Sequence, residues 1–221
     1  MELTLTEVER QKYDRQIRLW GEEKQINLKK AKIGLIGTGG LGSPILLYLA
    51  VAGVGKIILA DKDRVELSNL NRQVLHWNRD VGKNKPISAQ EKLKEINPDM
   101  DIVIYCEEVG RDNIEQIFQN VDVVIDGLDN FPTRFILNEY AVKRRIPLFH
   151  GAIWGLEGRA TTIIPGKTLC LHCLYKEAPP KEIFPVAGVT PGLIGIVQVT
   201  EVIKYFTQTG ELLLNQLLLY D

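Results

Sequence analysis

The sequence predicts an α/β fold: a parallel sheet with helices on both faces, extended by C-terminal antiparallel strands and preceded by an N-terminal helical appendage. Three observations predict it. Aliphatic and β-branched runs alternate with helical stretches between residues 31 and 150, the order that parallel βαβ units impose. The first of these runs leads into Gly37-Thr-Gly-Gly-Leu-Gly42, and G-x-G-x-x-G between a strand and a helix is a Rossmann-like turn. After Gly151 the alternation stops, and a β-branched segment, a cysteine pair, a proline-bearing loop and one long helix take over.

Thr6 is placed to cap a first helix, with Tyr13, Ile17 and Trp20 as its buried stripe, and a short helix is expected over 22–28. Strands are expected at 31–36 and 56–60, with a helix at 41–52 between them. Residues 68–78 are polar and irregular. A helix at 85–96 is stopped by Asn97-Pro98. Then come a strand at 102–105, a short helix at 113–118, a strand at 121–125, a helix at 134–143 and a strand at 147–150. The last part reads as a strand at 158–164, a loop at 176–190, a helix at 191–206 and a strand-like run at 212–220. The chain is taken as a single domain, 1–221, with helices in 1–30, a nucleotide-binding half in 31–150 and a second functional half in 151–221.

Composition sets outer limits. A hydrophobic content of 45% and a formal net charge of −1 fit an ordinary globular chain, and near-neutrality gives no global attraction to nucleic acid or anionic lipid. No apolar run reaches membrane-spanning length, and the first residues lack the basic flank and apolar core of a secretory signal. Three cysteines, two of them in Cys170-Leu-His-Cys173, favour reduced thiols or metal over a disulfide framework, and hence the cytoplasm.

The chemistry starts at the glycine loop. Gly37 permits the tight turn, Gly39 lets a phosphate approach the backbone, and Gly42 lets helix and strand pack closely. A second strand ends at Asp61, nineteen residues after Gly42, where a carboxylate can accept hydrogen bonds from a ribose. The loop alone suits an NAD-dependent dehydrogenase equally well. Ser68-Asn69-Leu70-Asn71-Arg72-Gln73 and then Lys85 weigh against it. Two fixed cations near phosphates suit ATP, whose leaving pyrophosphate gains charge, and have no use in a hydride-transfer pocket. Across the sheet, Asp126-Gly-Leu-Asp129-Asn130 follows another strand. Asp126 reads equally as a Mg²⁺ ligand and as an ordinary strand-end acid or helix cap, and Asp129, reaching further into the cleft, is the better candidate to hold Mg²⁺ through oxygen.

From Arg10 onward the chain resembles the ThiF/MoeB/HesA family, relatives of ubiquitin-activating enzymes. Tyr13-Asp-Arg15-Gln16, Gly37-Thr-Gly-Gly-Leu-Gly42, Asp61-Lys-Asp63, Ser68-Asn-Leu-Asn-Arg72-Gln73 and Gly82-Lys-Asn-Lys85 carry the resemblance. So do Asp126-Gly-Leu-Asp129-Asn130, Gly151-Ala152, Gly188-Val-Thr-Pro191, and Gly195 with Gln198 and Glu201. The resemblance implies adenylation of the C-terminal Gly-Gly carboxylate of a small ubiquitin-like sulfur-carrier protein, with the 151–221 half receiving the carrier. It implies that Gly40 and its neighbours hold phosphate, Asp61 the ribose, Asn69, Arg72 and Lys85 the triphosphate, and Asp129 the Mg²⁺. Ser68, Asn71, Gln73 and Asn130 belong to the same expected ATP contacts. Arg15 matches an arginine that reaches a partner subunit's ATP, which implies a homodimer with shared sites.

A terminal carboxylate, with a pKa of about 3.5, is already ionised at neutral pH and needs no general base. No catalytic histidine is therefore expected; His150, at a strand end, reads as packing. Residues 174–189 lack the cysteine on which some relatives form a covalent intermediate, which favours a MoeB-like transfer to an external sulfur donor. Cys106 reads as a small buried hydrophobe. Cys170 and Cys173 match half of the family's four-thiolate zinc site, with His172 a weak third ligand; loss of zinc is expected, with ligands from another chain or a C-terminus shorter than the native one as the other readings. Two further functions stay open. One is adenylation of a different substrate, such as a modified tRNA base or a peptide. The other is a non-catalytic partner subunit, which would have no chemical need for Arg15, Arg72, Lys85 and Asp129 together.

Overall fold

The computed structural model of the protein describes residues 3–175 and 185–221. Thr6 opens α1 (Glu7–Lys12) through a reciprocal capping box with Glu9, at 3.2 and 2.7 Å. The expected first helix is broken: Tyr13 leaves helical geometry, and α2 (Asp14–Trp20) restarts beyond it. The break turns the Tyr13 ring inward against Gly53. Gly21 ends α2, and α3 (Glu22–Lys30) follows. These helices are tied to the main body by Gln16 and Gln25, which both donate to the Ala52 carbonyl.

The core alternates as expected. It runs through β1 (Lys32–Ile36), α4 (Gly42–Ala52), β2 (Lys56–Ala60), α5 (Lys85–Ile96), β3 (Asp101–Tyr105), α6 (Ile114–Ile117), β4 (Val123–Asp126), α7 (Phe131–Arg144) and β5 (Leu148–Trp154). A tight turn at Gly155-Leu156 leads into β6 (Glu157–Ile163), antiparallel to β5. The short α8 (Leu171–Leu174), the long α9 (Val189–Thr207) and β7 (Leu218–Tyr220) complete the order. The seven strands form one sheet in the order β3-β2-β1-β4-β5-β6-β7, parallel through β5 and antiparallel beyond.

Both faces of the sheet are buried, as a parallel sheet requires, and the strand period sorts residues between two cores. Ile33 and Leu35 of β1, Ile57 and Leu59 of β2, and Val123 and Ile125 of β4 face α3, α4 and α9. Ile36, Ile58 and Val124 face Phe118, Leu137 and Tyr140 on the other side. Phe118 is wholly buried against β1 at Gly34, where a Cβ would come within 2.8 Å of its ring. Burying such a side chain contributes about 1.5–3 kcal/mol.

The apolar run 212–220 differs from expectation. Only its last residues pair with β6; the stretch before them is irregular, because Leu213 donates its N–H to the buried Glu201 carboxylate and accepts from Thr161 and Thr162 instead of a strand neighbour. β1 has β2 on one side and β4 on the other, so the chain's winding direction reverses between β1 and β4. That reversal is where open α/β sheets bind ligands, at the strands' C-terminal ends.

Candidate active site

The glycine loop occupies that position. Gly37 has φ of 94°, and a Cβ there would stand 2.4 Å from the Gly127 carbonyl at the end of β4. A Cβ on Gly42 would stand 2.0 Å from the Gly37 carbonyl. Backbone of β1, β4 and α4 thus meets with no side chain between. The N–H of Thr38 donates to Asp61 Oδ2 at 2.8 Å, and its hydroxyl to the same atom at 2.7 Å. The next four N–H groups, those of Gly39, Gly40, Leu41 and Gly42, have no hydrogen-bond partner among the described residues. Consecutive free N–H groups at a helix N-terminus form an anion cradle.

Polar side chains gather round it. Gln73 is buried beside Gly39, with its Oε1 unpartnered. Arg72 lies next to Gly40, its guanidinium held by the Ser68 carbonyl (3.0 Å) and Asn71 Oδ1 (2.9 Å), with no carboxylate partner among the described residues. Asn69 is buried and accepts from the Glu66 N–H at 3.1 Å, fixing the turn that carries Arg72; Ser68 donates to Glu66 at 3.2 Å. Lys85, at the start of α5, is buried and paired with Asp63 at 2.9 Å. Asp61 has its second oxygen, Oδ1, engaged by the Asp63 N–H alone, so Oδ1 keeps a lone pair for a further donor, while Oδ2 is filled by Thr38. The turn before α9 closes against this group, with Gly188 on the Asn71 carbonyl and Pro191 on Gly40.

On the β4 side, Asp129 is exposed and has no ion pair or hydrogen bond to another described residue. Asn130, expected at the nucleotide, is the N-cap of α7, its Oδ1 accepting from the Thr133 N–H at 3.0 Å. Asp126 is wholly buried. Its carboxylate is held by Arg134 (3.1 Å), His150 Nδ1 (2.6 Å) and the Leu128 N–H (3.0 Å). Burial alone would push this carboxyl up; Arg134 and the bonds from His150 and Leu128 outweigh it and hold it below the ordinary carboxylate range. Asp126, the last residue of β4, is wholly engaged by these partners and so is a structural strand-end acid with no oxygen open to a metal, whereas Asp129 is exposed. Burial pushes the His150 imidazole down, against the pull of Asp126.

Sequence reasoning missed three parts of this site. Arg134 stood only for a helix start, yet its guanidinium also bonds the Leu128 and Gly151 carbonyls and so joins the Asp129 loop to β5. Thr38 and His76 brace the glycine loop from inside. The cue for His76 was its position three residues beyond Gln73, in a motif otherwise given to phosphate.

Arg15 is exposed on α2, with no partner among the described residues. Cys106 is exposed just beyond β3, which corrects the buried reading: the strand ends one residue earlier, and the side chain is past the sheet's cover. Cys170 and Cys173 bring their sulfurs within 3.7 Å. His172 turns away, stacked on Phe135 at 4.4 Å, and no cluster of three metal-binding side chains exists among the described residues. Pro179 and Pro180 lie outside the described residues. The end of that loop is fastened to the β5–β6 turn, where Gly155 N–H donates to the Pro185 carbonyl at 2.9 Å.

Fold and site together define an α/β protein with an anion cradle at the switch point of a parallel sheet. A profile described as the ThiF family matches residues 13–221. The SAMP-activating enzyme E1 of Haloferax volcanii is 41% identical over 229 aligned positions, spanning 100% of this chain and 84% of that protein. The sulfur carrier protein adenylyltransferase of Thermus thermophilus is 38% identical over 230 positions, spanning 98% of this chain and 84% of that one. The chain belongs to the ThiF/MoeB/HesA family and is an adenylyltransferase. Among solved structures, E. coli MccB with ATP shares the fold at a TM-score of 0.86 and 24% identity, covering 95% of this chain and 68% of that one. PaaA shares it at 0.85 and 24%, covering 99% and 72%. No described helix is long and apolar enough to cross a membrane.

Proposed function

We propose that the enzyme uses ATP to adenylate the C-terminal Gly-Gly carboxylate of a small ubiquitin-like sulfur-carrier protein, releasing pyrophosphate and forming no thioester on a loop cysteine. The observation that carries this is the run of four N–H groups at Gly39–Gly42 with no partner among the described residues, with Arg72 beside Gly40 and Lys85 paired to Asp63, whose N–H bonds the Asp61 that holds Thr38. A carboxylate oxygen of the carrier attacks the α-phosphorus; the new C–O–P linkage forms as the bond to the β-phosphate oxygen breaks. Arg72 and Lys85 neutralise the charge that passes to pyrophosphate, and catalysis is positioning plus electrostatics.

The donor set fits the nucleotide. The cradle takes phosphate, Asp61 accepts from the ribose, Asn69 shapes the Arg72 turn, and Gln73 offers its amide beside Gly39. Mg²⁺, bound at Asp129, would supply further charge neutralisation on the phosphates. Lys85 is already held by Asp63, so the triphosphate competes for a formed ion pair. In this reading the 31–150 half binds nucleotide and the 151–221 half receives the carrier, in a cytoplasmic enzyme. Arg15, exposed and without a partner among the described residues, is assigned to the neighbouring subunit's ATP in a homodimer.

Carrier-dependent ATP–pyrophosphate exchange tests the proposal. Lys85→Ala and Asp129→Ala should each reduce exchange to background while thermal unfolding stays cooperative. Near-wild-type exchange in both would sink the assignment.

A further inference from the structure

We propose that His76 is a positioning residue for the phosphate cradle: its Nε2–H holds the Thr38 carbonyl so that the Gly39 N–H faces the phosphates. This rests on the ATP reading above. His76 is 3% exposed, with Nε2 2.9 Å from the Thr38 carbonyl oxygen and Nδ1 2.9 Å from Ser88 Oγ.

The partners fix the tautomer. A carbonyl oxygen only accepts, so Nε2 carries the proton and Nδ1 accepts from the Ser88 hydroxyl. Ser88 Oγ in turn accepts from Lys92 Nζ at 2.8 Å. Lys92 is paired with buried Asp80, which also accepts from the Trp77 N–H at 2.9 Å, the residue next to His76. The donors therefore run one way, from Lys92 through Ser88 and His76 to Thr38, with a charged group at the head. Bonds in such a chain polarise one another.

The consequence follows from the planar trans peptide. The Thr38 carbonyl and the Gly39 N–H belong to one peptide unit and point in opposite directions. Holding the carbonyl inward turns the N–H outward into the cradle. The hold matters because Gly39 has no Cβ and permits the flipped peptide at little cost. Ser43 Oγ adds a second donor to the same carbonyl at 3.2 Å.

The one-way file holds for a neutral imidazole. Protonated, Nδ1 would become a donor, and the Ser88 hydroxyl would turn from it toward Asp80, breaking the file above His76. Burial favours the neutral form most strongly; the Thr38 carbonyl opposes it, Lys85 and Lys92 of α5 reinforce it, and Asp61 beyond β2 opposes it; the net direction is down.

His76→Phe keeps the ring and removes both nitrogens; His76→Gln keeps an N–H in reach of Thr38 and does not titrate. His76→Phe should weaken ATP binding roughly tenfold and raise the KM for ATP with a smaller change in kcat, while His76→Gln stays within about twofold of wild type. Equal ATP affinity in wild type and His76→Phe overturns the proposal, as does a Gln variant as weak as Phe. Should His76→Phe fail to unfold cooperatively, the pH arm decides. Wild-type ATP affinity should fall relative to His76→Gln as pH drops below the ordinary imidazole range, and parallel profiles overturn the proposal. Failure here with Lys85→Ala still inactive leaves the ATP reading standing. Wild-type protein that binds no ATP overturns both.

Discussion

Two buried histidines flank the glycine loop, and their surroundings differ in kind. His76 has both nitrogens engaged, in a file of donors that ends on one backbone carbonyl. Among the described residues His150 uses only Nδ1, on Asp126, and its buried Nε2 has no partner. Around His150 the bonding is ionic: Asp126 and Arg134 pair at 3.1 Å, and Arg134 spreads to carbonyls in the β4–α7 loop and β5. The first cluster sets the direction of a peptide; the second joins a strand, a loop and the neighbouring strand. Damage to the first should appear in ligand affinity, and damage to the second in stability.

The largest expected effect breaks the second cluster. Arg134→Met leaves Asp126 as an unpaired buried charge and should cost about 3–5 kcal/mol in urea unfolding. Adding Asp126→Asn to the same chain should recover most of that loss, because the double variant buries no orphan charge. A double variant as unstable as the single would mean that packing, and not charge, joins β4 to β5.

A smaller effect separates the clusters by pH. Burial pushes the Asp80 carboxyl up, but the bonds from Lys92 and the Trp77 N–H outweigh it and bring it down to about 2. A carboxyl lowered in the folded state stabilises above its unfolded value, and that stability is lost as pH falls toward the folded value. Asp80 should therefore contribute about 2 kcal/mol near neutrality, lost between about pH 4 and pH 2. Unfolding free energies measured across that window should show a correspondingly shallower acid loss in Asp80→Asn. Identical slopes would remove the ionic head from the His76 file.

The smallest effect concerns the edge of the site. Asn130→Ala removes the α7 cap and should cost about 1 kcal/mol, with Asn130→Ser recovering most of it. If ATP affinity is unchanged in both, capping is this residue's task; a tenfold loss would return it to the nucleotide contacts.

The sequence made the parallel half legible because its signals are local. The period of β1, β2 and β4, the glycines before α4, and Asn97-Pro98 after α5 each act within a few residues. The positions of Arg72 and Asp61 at the glycine loop were legible through motif spacing for the same reason. What escaped depends on distant partners. His76 is defined by Thr38, thirty-eight residues away, and Arg134 by Gly151 across the sheet. The 212–217 stretch is apolar enough for a strand, but Glu201 on α9 takes the Leu213 N–H that a strand neighbour would need. Cys106 looked buried by residue type, whereas its exposure follows from where β3 stops.

The contact of Gly42 with Gly37, and of Gly37 with Gly127, has a consequence for binding entropy. The cradle's two ends are set where three stretches of backbone touch, so none of the three can shift alone, and His76 holds the peptide between them. A loop shaped by long side chains would surrender rotamer freedom each time a ligand arrived. This one has already given up its freedom on folding, and the interaction with phosphate is not spent on ordering it.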